Sequence, residues 1–600
     1  MEDHIRNIAI VAHVDHGKTT MIDRMLEQSG TVAAHQELNE RAMDTHDLEQ
    51  ERGITILSKC TAIEWSDYDI NIIDTPGHAD FGGEVERVLK MVDSILLLVD
   101  AFEGPMPQTT YVLQKSLELG QQPIVVINKI DREFARPHEV LDEIFDLFID
   151  VGATDEQLDF PVIYSSGMEG FAVNEMDEEP EDLGPLFESI IEHVPAPEGS
   201  PEDPLQMQVA TLDWDDYVGR VAIGRMFRGT MKKGDDVIIS RRDGTEDEVR
   251  VQKLYGFHGL ERVERESVSA GELCAVAGME KIVPGETISA IGHVDPLPTI
   301  EIDEPTISMV FQVNDGPFSG LEGDFLTSRQ IGERLDRELE HNVALKVEDA
   351  DRPEAFKVSG RGELHLSVLL EEMRREGYEL QVSRPEVIVR EDEEGNKQEP
   401  YEEVVIDCDP DYSGDVIQSL KERFAELRHM TTNNDGTQHL EFVVPSRSLI
   451  GYRSEFLTQT RGTGVMYKNF HSYGEYKGPM EHRRNGAMIA MDKGTTMRYA
   501  LHNLQERGEL FVGPGEDVYG GQIIGVCNKE QPLVVNPCKN KKLSNVRSSG
   551  SDESLDLVPP VDMTLEKAIE FIDQDERVEI TPNSIRIRKA ELNHSKRKSA

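Results

Sequence analysis

The segment at residues 12–19, Ala-His-Val-Asp-His-Gly-Lys-Thr, lies between an apolar run at Asn7–Ala12 and an amphipathic pattern at Lys18–Gln28. This order of strand, glycine turn and helix constrains the fold more than any other feature. Backbone N–H groups of such a loop bind phosphates, aided by the helix N-terminus. Lys18 is expected to contact the β- and γ-phosphates, and the Thr19 hydroxyl is expected to bind Mg²⁺. Because an alanine replaces the first glycine of the usual motif, the loop alone also fits an ordinary turn.

The first 198 residues alternate short apolar strands with amphipathic helices. Further strands are predicted at Ile70–Asp74, Ser94–Asp100 and Pro123–Asn128, with a helix at Gly82–Met91. Such alternation is typical of a parallel sheet covered by helices on both faces. Four prolines in Val194–Pro204 indicate a linker after this α/β domain.

Two motifs after the phosphate loop predict a metal site and a residue whose metal contact depends on the γ-phosphate. Asp74 ends an apolar strand, where its carboxylate can hold Mg²⁺ through water and Gly77 can contact the γ-phosphate. Thr55 is predicted to bind Mg²⁺ only when the γ-phosphate is present. His78 is expected to orient the attacking water, although a lone histidine is usually structural. Alone, the Asp74 and Thr55 motifs also fit a strand-ending turn and a strand start. The predicted metal ligands are Thr19, Thr55 and Asp74.

The motif Asn128-Lys-Ile-Asp131 follows another apolar strand and predicts recognition of guanine. The Asp131 carboxylate can accept hydrogen bonds from N1–H and the 2-amino group, a pair of donors that adenine lacks. Ser165 and Ser166 are expected to support the base. Four motifs in the required order predict binding of GTP and GDP. The predicted nucleotide-binding residues are Asp15, His16, Gly17, Lys18, Thr19, Thr20, Gly77, Asn128, Lys129, Ile130, Asp131, Ser165 and Ser166.

Acidic residues outnumber basic ones by 115 to 62, giving a formal net charge of −53. Because the acids are spread along the chain, we interpret them as a hydrated surface and hypothesise a halophilic source. The five cysteines are far apart and form no metal-binding pair, which favours free thiols in a reducing cytosol. We find no signal peptide and no apolar run of membrane-spanning length, so we expect a cytoplasmic protein without a membrane contact.

Composition changes along the chain predict four further segments. Residues 202–298 show short strands and glycine turns, which favour a β-barrel. Residues 398–480 follow the order βαββαβ of a ferredoxin-like α+β domain, and residues 303–390 are interpreted as a second copy. No fold is predicted from pattern for residues 481–600.

The motifs resemble those of the translational GTPases. The matching stretches are residues 12–20, 52–56 and 74–81. The resemblance implies that His78 is inactive until the ribosome positions it, and that Val14 and Ile54 flank it as a hydrophobic gate. Residues 219–225 and 231–235 look like the second domain of this family. Residues 359–366 and 400–475 are similar to the third and fifth domains of elongation factor G. No segment remains for its fourth domain, which argues against a translocase.

Two translational GTPase families without that fourth domain are LepA and TypA/BipA. Residues 99–109 and 541–553 resemble TypA/BipA, so the chain is identified as a member of that family, with LepA as the nearest alternative. The resemblance implies binding to the 70S ribosome, a role in 50S subunit assembly under stress or cold, and a family-specific C-terminal domain. We also expect a monomer. The enzyme interpretation competes with a nucleotide-gated assembly factor in which hydrolysis is not essential.

Local basic runs could bind RNA despite the acidic background. Lys539, Lys541, Lys542 and Arg547 lie in a run without acids and are candidates for ribosomal RNA or tRNA backbone. The resemblance implies that this loop reaches the acceptor end of tRNA. Two further groups of cations have two interpretations, an RNA contact or a solvated loop: Arg586, Arg588, Lys589, Lys596, Arg597 and Lys598 in the tail, and His482, Arg483 and Arg484 at the start of the last domain.

Overall fold

A computed structural model describes most of the chain. The described residues are 4–13, 15–31, 47–52, 55, 58–76, 82–215, 217–279, 281–298, 304–340, 342, 344–392, 394–432, 436–480, 483, 485–540 and 556–597. The chain divides into two compact units, Met1–Asp303 with Glu340–Val343, and Glu304–Leu339 with Ala344–Ala600. Within the described ranges, no helix combines the length and apolar character needed to span a bilayer.

The N-terminal part of the first unit is an α/β domain. Its elements are β1 (Ile5–Ala12), α1 (Lys18–Gln28), α2 (Asp47–Arg52), β2 (Lys59–Trp65), β3 (Tyr68–Asp74), α3 (Gly82–Leu89), β4 (Ser94–Asp100), α4 (Pro107–Glu118), β5 (Ile124–Asn128), α5 (Pro137–Asp150), β6 (Val162–Ser166), β7 (Phe171–Val173) and α6 (Gly184–His193). The sheet order is β2-β3-β1-β4-β5-β6-β7. Strands β3, β1, β4, β5 and β6 are parallel, and the edge strands β2 and β7 are antiparallel.

Apolar clusters cover both faces of this sheet, which explains why its central strands are apolar throughout. Because β1, β3, β4 and β5 are parallel neighbours, their carboxyl ends meet at one edge. The phosphate loop follows β1, Asp74 and Asp100 are the last residues of β3 and β4, and the segment after Asn128 follows β5. The predicted α/β fold is confirmed, and it positions the candidate site.

The rest of the first unit is an antiparallel β structure. Its strands are β8 (Gln206–Asp215), β9 (Gly219–Arg228), β10 (Thr230–Lys232), β11 (Asp236–Ser240), β12 (Glu246–Arg250), β13 (Lys253–His258), β14 (Glu261–Glu264), β15 (Ser267–Ser269), β16 (Leu273–Ala277) and β17 (Thr287–Ala290). Eight of them form one sheet in the order β12-β11-β17-β8-β9-β16-β13-β14. The sheet surrounds a core that includes Met207, Val237 and Val276, as predicted for a barrel.

The second unit begins with the first of two ferredoxin-like arrangements. Its elements are β18 (Ile307–Val313), α7 (Ser328–Leu339), β19 (Lys346–Asp349), β20 (Ala355–Gly360), α8 (Glu363–Arg375) and β21 (Leu380–Val382), followed by β22 (Glu386–Val387) and β23 (Arg390–Glu391). The second arrangement comprises β24 (Lys397–Cys408), α9 (Pro410–Glu422), β25 (Glu426–Thr432), β26 (Gln438–Pro445), α10 (Ser446–Leu449), α11 (Tyr452–Gln459) and β27 (Val465–Glu475). In both, the first strand lies between the third and the fourth, so the predicted βαββαβ architecture is confirmed twice.

The C-terminal segment extends the first of these two sheets. Its elements are β28 (Ala487–Ala490), β29 (Gly494–Thr495), α12 (Arg498–Leu504), a 3₁₀ turn (Gln505–Arg507), β30 (Gly508–Leu510), β31 (Asp517–Val518), β32 (Gln522–Cys527), β33 (Leu533–Val535), α13 (Leu565–Phe571), β34 (Glu576–Ile580), β35 (Ile585–Lys589) and α14 (His594–Arg597). Strand β34 pairs with β21, with Leu380 opposite Ile580 and Val382 opposite Val578. An 11-stranded sheet therefore runs through segments that the sequence presents as separate domains.

Cations near the C-terminus pair with acids of the second unit, one of them distant in sequence and two of them nearby. Arg586 contacts Glu322, the Arg588 Nε lies 3.0 Å from a Glu579 carboxylate oxygen, and the Lys589 Nζ lies 2.9 Å from Asp575. Because these charges are neutralised within the fold, the interpretation of Arg586–Lys589 as an open RNA contact is wrong.

Candidate nucleotide-binding site

The loop between β1 and α1 has the backbone that a phosphate loop requires. Gly17 has φ +94° and directly precedes α1, and Asp15 has φ +65°. A Cβ atom on Gly17 would lie 2.6 Å from the Asn128 amide nitrogen. Only glycine meets both constraints, because a side chain would be strained at this φ and would clash with the base-binding segment. Thr19 and Thr20 lie in the first turn of α1, and Thr20 is exposed.

Lys18 and two of the predicted metal ligands lie together. The Lys18 Nζ is 2.8 Å from Asp74 Oδ1 and also donates to the carbonyl of Thr75. The Thr55 hydroxyl donates to Asp74 Oδ2 at 3.3 Å. Lys18, Asp74 and Thr55 are all buried. Hydroxyl and carboxylate oxygens are the ligands that Mg²⁺ prefers, so this donor set fits the predicted ion.

Asn128 connects the phosphate loop to the loop that follows β6. Its amide nitrogen donates to the His16 carbonyl at 2.9 Å, and its amide oxygen accepts the Gly167 N–H at 2.9 Å. The Ser165 hydroxyl donates to the same oxygen at 3.3 Å. Ser165 and Ser166 are fully buried. The serine pair therefore supports the loop that carries Asn128.

Lys129 and Asp131 have different environments. Lys129, at φ +63°, donates to the Asp15 carbonyl, and its Nζ lies 2.8 Å from Asp100 Oδ2. Asp131 is exposed and forms no hydrogen bond or ion pair with any residue that the structure describes. Its carboxylate is therefore accessible to the donors of a guanine base. Ile130 is half-buried, and its N–H donates to the Ser165 carbonyl at 3.3 Å.

Asp100 and Glu103 are site residues that the sequence did not single out. Burial alone would raise the pKa of Asp100, but hydrogen bonds from Lys129 and the Phe102 N–H lower it below its usual value. The contact with His16 lowers the pKa of Glu103, against the effect of burial. Both carboxylates are therefore ionised at neutral pH. The available signal was the position of Asp100, which ends β4 as Asp74 ends β3.

Several predicted site residues lie outside the described ranges. These are Val14, Ile54, Gly77, His78, Lys541, Lys542 and Arg547. Lys539 is described, belongs to the second unit and is exposed. The structure thus brings together the phosphate, metal and base motifs, whereas the roles of His78, of the gate and of the basic loop stay predictions.

Family models match four stretches of the chain. The elongation factor Tu GTP binding domain matches residues 3–196, and elongation factor Tu domain 2 matches residues 219–289. The elongation factor G C-terminus matches residues 396–484. The TypA/BipA C-terminal domain matches residues 485–594.

Curated relatives match over the full length. The chain is 53% identical over 601 residues to a protein of Escherichia coli K12 named large ribosomal subunit assembly factor BipA, covering 100% of this chain and 99% of that protein. A Bacillus subtilis protein of the same name is 52% identical, covering 100% and 98%. A crystal structure of a Thermus thermophilus protein aligns with TM-score 0.55 and 18% identity over 79% of this chain and 98% of that one, a likeness of fold alone. The chain belongs to the TypA/BipA family of translational GTPases, and its first domain binds and hydrolyses GTP.

Proposed function

We propose that the chain is a ribosome-associated GTPase that takes part in assembly of the 50S subunit. The observation that carries the proposal is the full-length identity to relatives named large ribosomal subunit assembly factor, including the match of the TypA/BipA C-terminal domain. Binding to the 70S ribosome, a cytoplasmic location, a monomeric state and a role in stress or cold adaptation belong to the same proposal.

The nucleotide site supports a Mg²⁺-dependent hydrolysis. Thr19, Thr55 and Asp74 would hold the ion, which when bound neutralises charge on the phosphates. Lys18 is buried beside Asp74 and placed at the start of α1, where it can bind a phosphate oxygen. His78 is proposed to orient the attacking water once the ribosome positions it, with Val14 and Ile54 as the gate.

The test of the enzyme role compares GTP hydrolysis with and without purified 70S ribosomes at two KCl concentrations. We expect ribosomes to stimulate turnover of the unchanged protein, and His78→Ala to keep GTP binding but lose the stimulated turnover. A general base or water-orienting group typically contributes about 10²–10⁴-fold. Normal stimulated turnover of His78→Ala would remove this residue from the mechanism.

The assembly role is tested by complementation in cells that lack the endogenous protein. We expect 50S precursors to accumulate without it and to disappear with the unchanged chain. If His78→Ala restores assembly fully while failing to hydrolyse GTP, the nucleotide-gated assembly factor is the correct function. If the unchanged chain leaves the precursors unaltered, the assembly role is wrong.

The loop with Lys539, Lys541, Lys542 and Arg547 is proposed to contact ribosomal RNA or the acceptor end of tRNA. Replacing Lys541, Lys542 and Arg547 with alanine should weaken ribosome pelleting and leave GTP binding intact, because phosphate contacts dominate RNA affinity. The matched control is Arg329→Ala with Lys346→Ala, which removes two exposed cations elsewhere in the second unit. Equal pelleting of both variants would contradict the assignment.

A further inference from the structure

The His16 side chain is fully buried, between the Asp100 backbone and the Glu103 carboxylate. The backbone N–H of Asp100 donates to its Nδ1 at 3.3 Å, so this nitrogen carries no proton. The Nε2 atom lies 3.4 Å from a carboxylate oxygen of Glu103, an electrostatic contact too long for a well-aligned hydrogen bond. The acceptor role of Nδ1 assigns the ring N–H to Nε2, which faces Glu103.

Asp100 connects this imidazole to the guanine-binding segment. Its carboxylate is fully buried and contacts Lys129 at 2.8 Å and Arg132 at 3.2 Å. Lys129 in turn donates to the carbonyl of Asp15 in the phosphate loop. The contacts therefore form a closed ring from the phosphate loop through Lys129 and Asp100 to His16 and back to the loop.

A second connection, through main-chain atoms, supports this closed ring of contacts. The Asn128 amide holds the His16 carbonyl, so His16 is fixed by its backbone to one side of the base segment and by its side chain to Asp100 on the other. The neighbouring His13 ring lies 5.2 Å away, edge to face. Loss of the Nδ1 acceptor would leave the Asp100 N–H buried and unpaired, and would release one side of the phosphate loop.

We propose that His16 is a positioning residue that locks the phosphate loop to Lys129 through Asp100, and thereby sets the affinity for GDP and GTP together. The inference rests on the nucleotide pocket and not on the ribosomal role. The imidazole acts as an acceptor at Nδ1 toward the Asp100 N–H, while Glu103 fixes the tautomer from the other side. An unpaired buried donor costs about one power of ten in an equilibrium constant. Loss of the Nδ1 acceptor should therefore lower nucleotide affinity about tenfold.

Two variants separate the acceptor from the rest of the side chain. In His16→Asn the amide oxygen can take the place of Nδ1, whereas His16→Gln places its amide near Nε2 and leaves the Asp100 N–H without an acceptor. Dissociation constants for GDP and a non-hydrolysable GTP analogue are measured with the full chain. We expect His16→Gln to weaken both about tenfold and His16→Asn to weaken both by less than about threefold. His138→Gln, at an exposed position on α5 of the same domain, is the matched control.

A merely structural histidine gives a different result. Thermal unfolding without nucleotide is measured for each variant, and we expect His16→Gln to unfold at a lower temperature than His16→Asn, because the unpaired Asp100 N–H also destabilises the free protein. A lower unfolding temperature with unchanged GDP affinity would identify a merely structural histidine. Combined with Lys129→Met, His16→Gln should add less than its separate effect, because both changes open the same ring. Equal affinity losses for Asn and Gln, no loss for either, or full additivity would overturn the proposal. If the unchanged protein fails to bind GDP, the nucleotide function itself is wrong.

Discussion

A buried ion pair joins the barrel to the α/β domain. The Arg225 guanidinium on β9 lies 2.6 Å from Asp93 Oδ1, in the turn before β4, and the two side chains are 7% and 11% exposed. Arg225 also donates to the Met91 carbonyl at 3.3 Å. The Asn7 amide donates to Asp93 at 2.9 Å and to the Gly271 carbonyl at 3.0 Å. We predict that Arg225→Met destabilises the first unit by about 3 kcal/mol.

The magnitude follows from what remains after the substitution. Burial raises the pKa of Asp93, and Arg225 opposes that rise. Removing one partner of a buried pair costs about 3–5 kcal/mol, since the other charge stays buried and uncompensated. We take the lower end because Asp93 keeps the Asn7 amide. Replacing both, as Arg225→Met with Asp93→Asn, removes the isolated charge and should return stability to within about 1 kcal/mol of the unchanged protein.

Intrinsic fluorescence isolates the first unit, because the chain has two tryptophans and both lie there. Trp65 on β2 stacks on Phe187 at 4.3 Å, and Trp214 lies on β8 of the barrel. In urea unfolding with a slope of about 3 kcal/mol per M, the single variant should lower the midpoint by about 1 M.

Arg262→Met is the matched control for this experiment, because its pair with Asp213 is more exposed and should contribute less than about 1 kcal/mol. The reasoning fails if Arg225→Met lies within about 0.5 kcal/mol of the unchanged protein. It also fails if the double variant is less stable than both single ones, because an isolated charge would then not be the cause of the loss.

Three further predictions concern the loop, pH and salt. Gly17→Ala should weaken GDP binding by more than about tenfold, measured by titration, because φ is +94° and the added Cβ would lie 2.6 Å from Asn128; unchanged affinity would contradict the strain argument. A hydrogen bond to Asp407 raises the pKa of His439 in the folded protein. The protonated histidine therefore stabilises the fold at a pH below its pKa in the unfolded chain, about 6.5, and this stabilisation is lost as pH rises through the pKa in the folded state. Thermal unfolding at pH 6 and pH 8 should therefore show a fall in stability that His439→Gln reduces, and an equal fall in both would exclude His439. If the net charge of −53 reflects a halophilic surface, urea midpoints should rise from low to molar KCl, and equal midpoints would refute that hypothesis.

Local sequence signals located the elements that carry the nucleotide motifs. Helix α1 spans Lys18–Gln28 and β4 spans Ser94–Asp100, both as predicted, because a buried strand, a glycine turn and an amphipathic helix are adjacent in sequence. Strand β24 runs from Lys397 to Cys408, and its first residues carry no strand pattern in the sequence. Pairing of Gln398 with Arg390 on β23 and Glu475 on β27 extends the strand, and such tertiary pairing leaves no local pattern.

The site shows the same division between local and distant signals. Lys18, Asp74 and Asn128 were predicted because each belongs to a motif at a strand end. The contact between His16 and Glu103 was not predicted, because it depends on side-chain orientation across two loops that are far apart in sequence. The pairing of Arg586 with Glu322 was missed for the same reason, since composition within the tail shows only the cations.

Because β21 pairs with β34, the start of the C-terminal family model is not a boundary between two independent domains. The TypA/BipA C-terminal model begins at residue 485, yet Val578, Ile580 and Ile569 pack in one core with Leu380 and Val382. Without the C-terminal segment, β21 would become an edge strand with unpaired backbone groups, and that core would lose part of its apolar cover. The boundary at residue 485 therefore marks a change in sequence family within a single folding unit, and residues 304–390 need the C-terminal segment to complete their sheet.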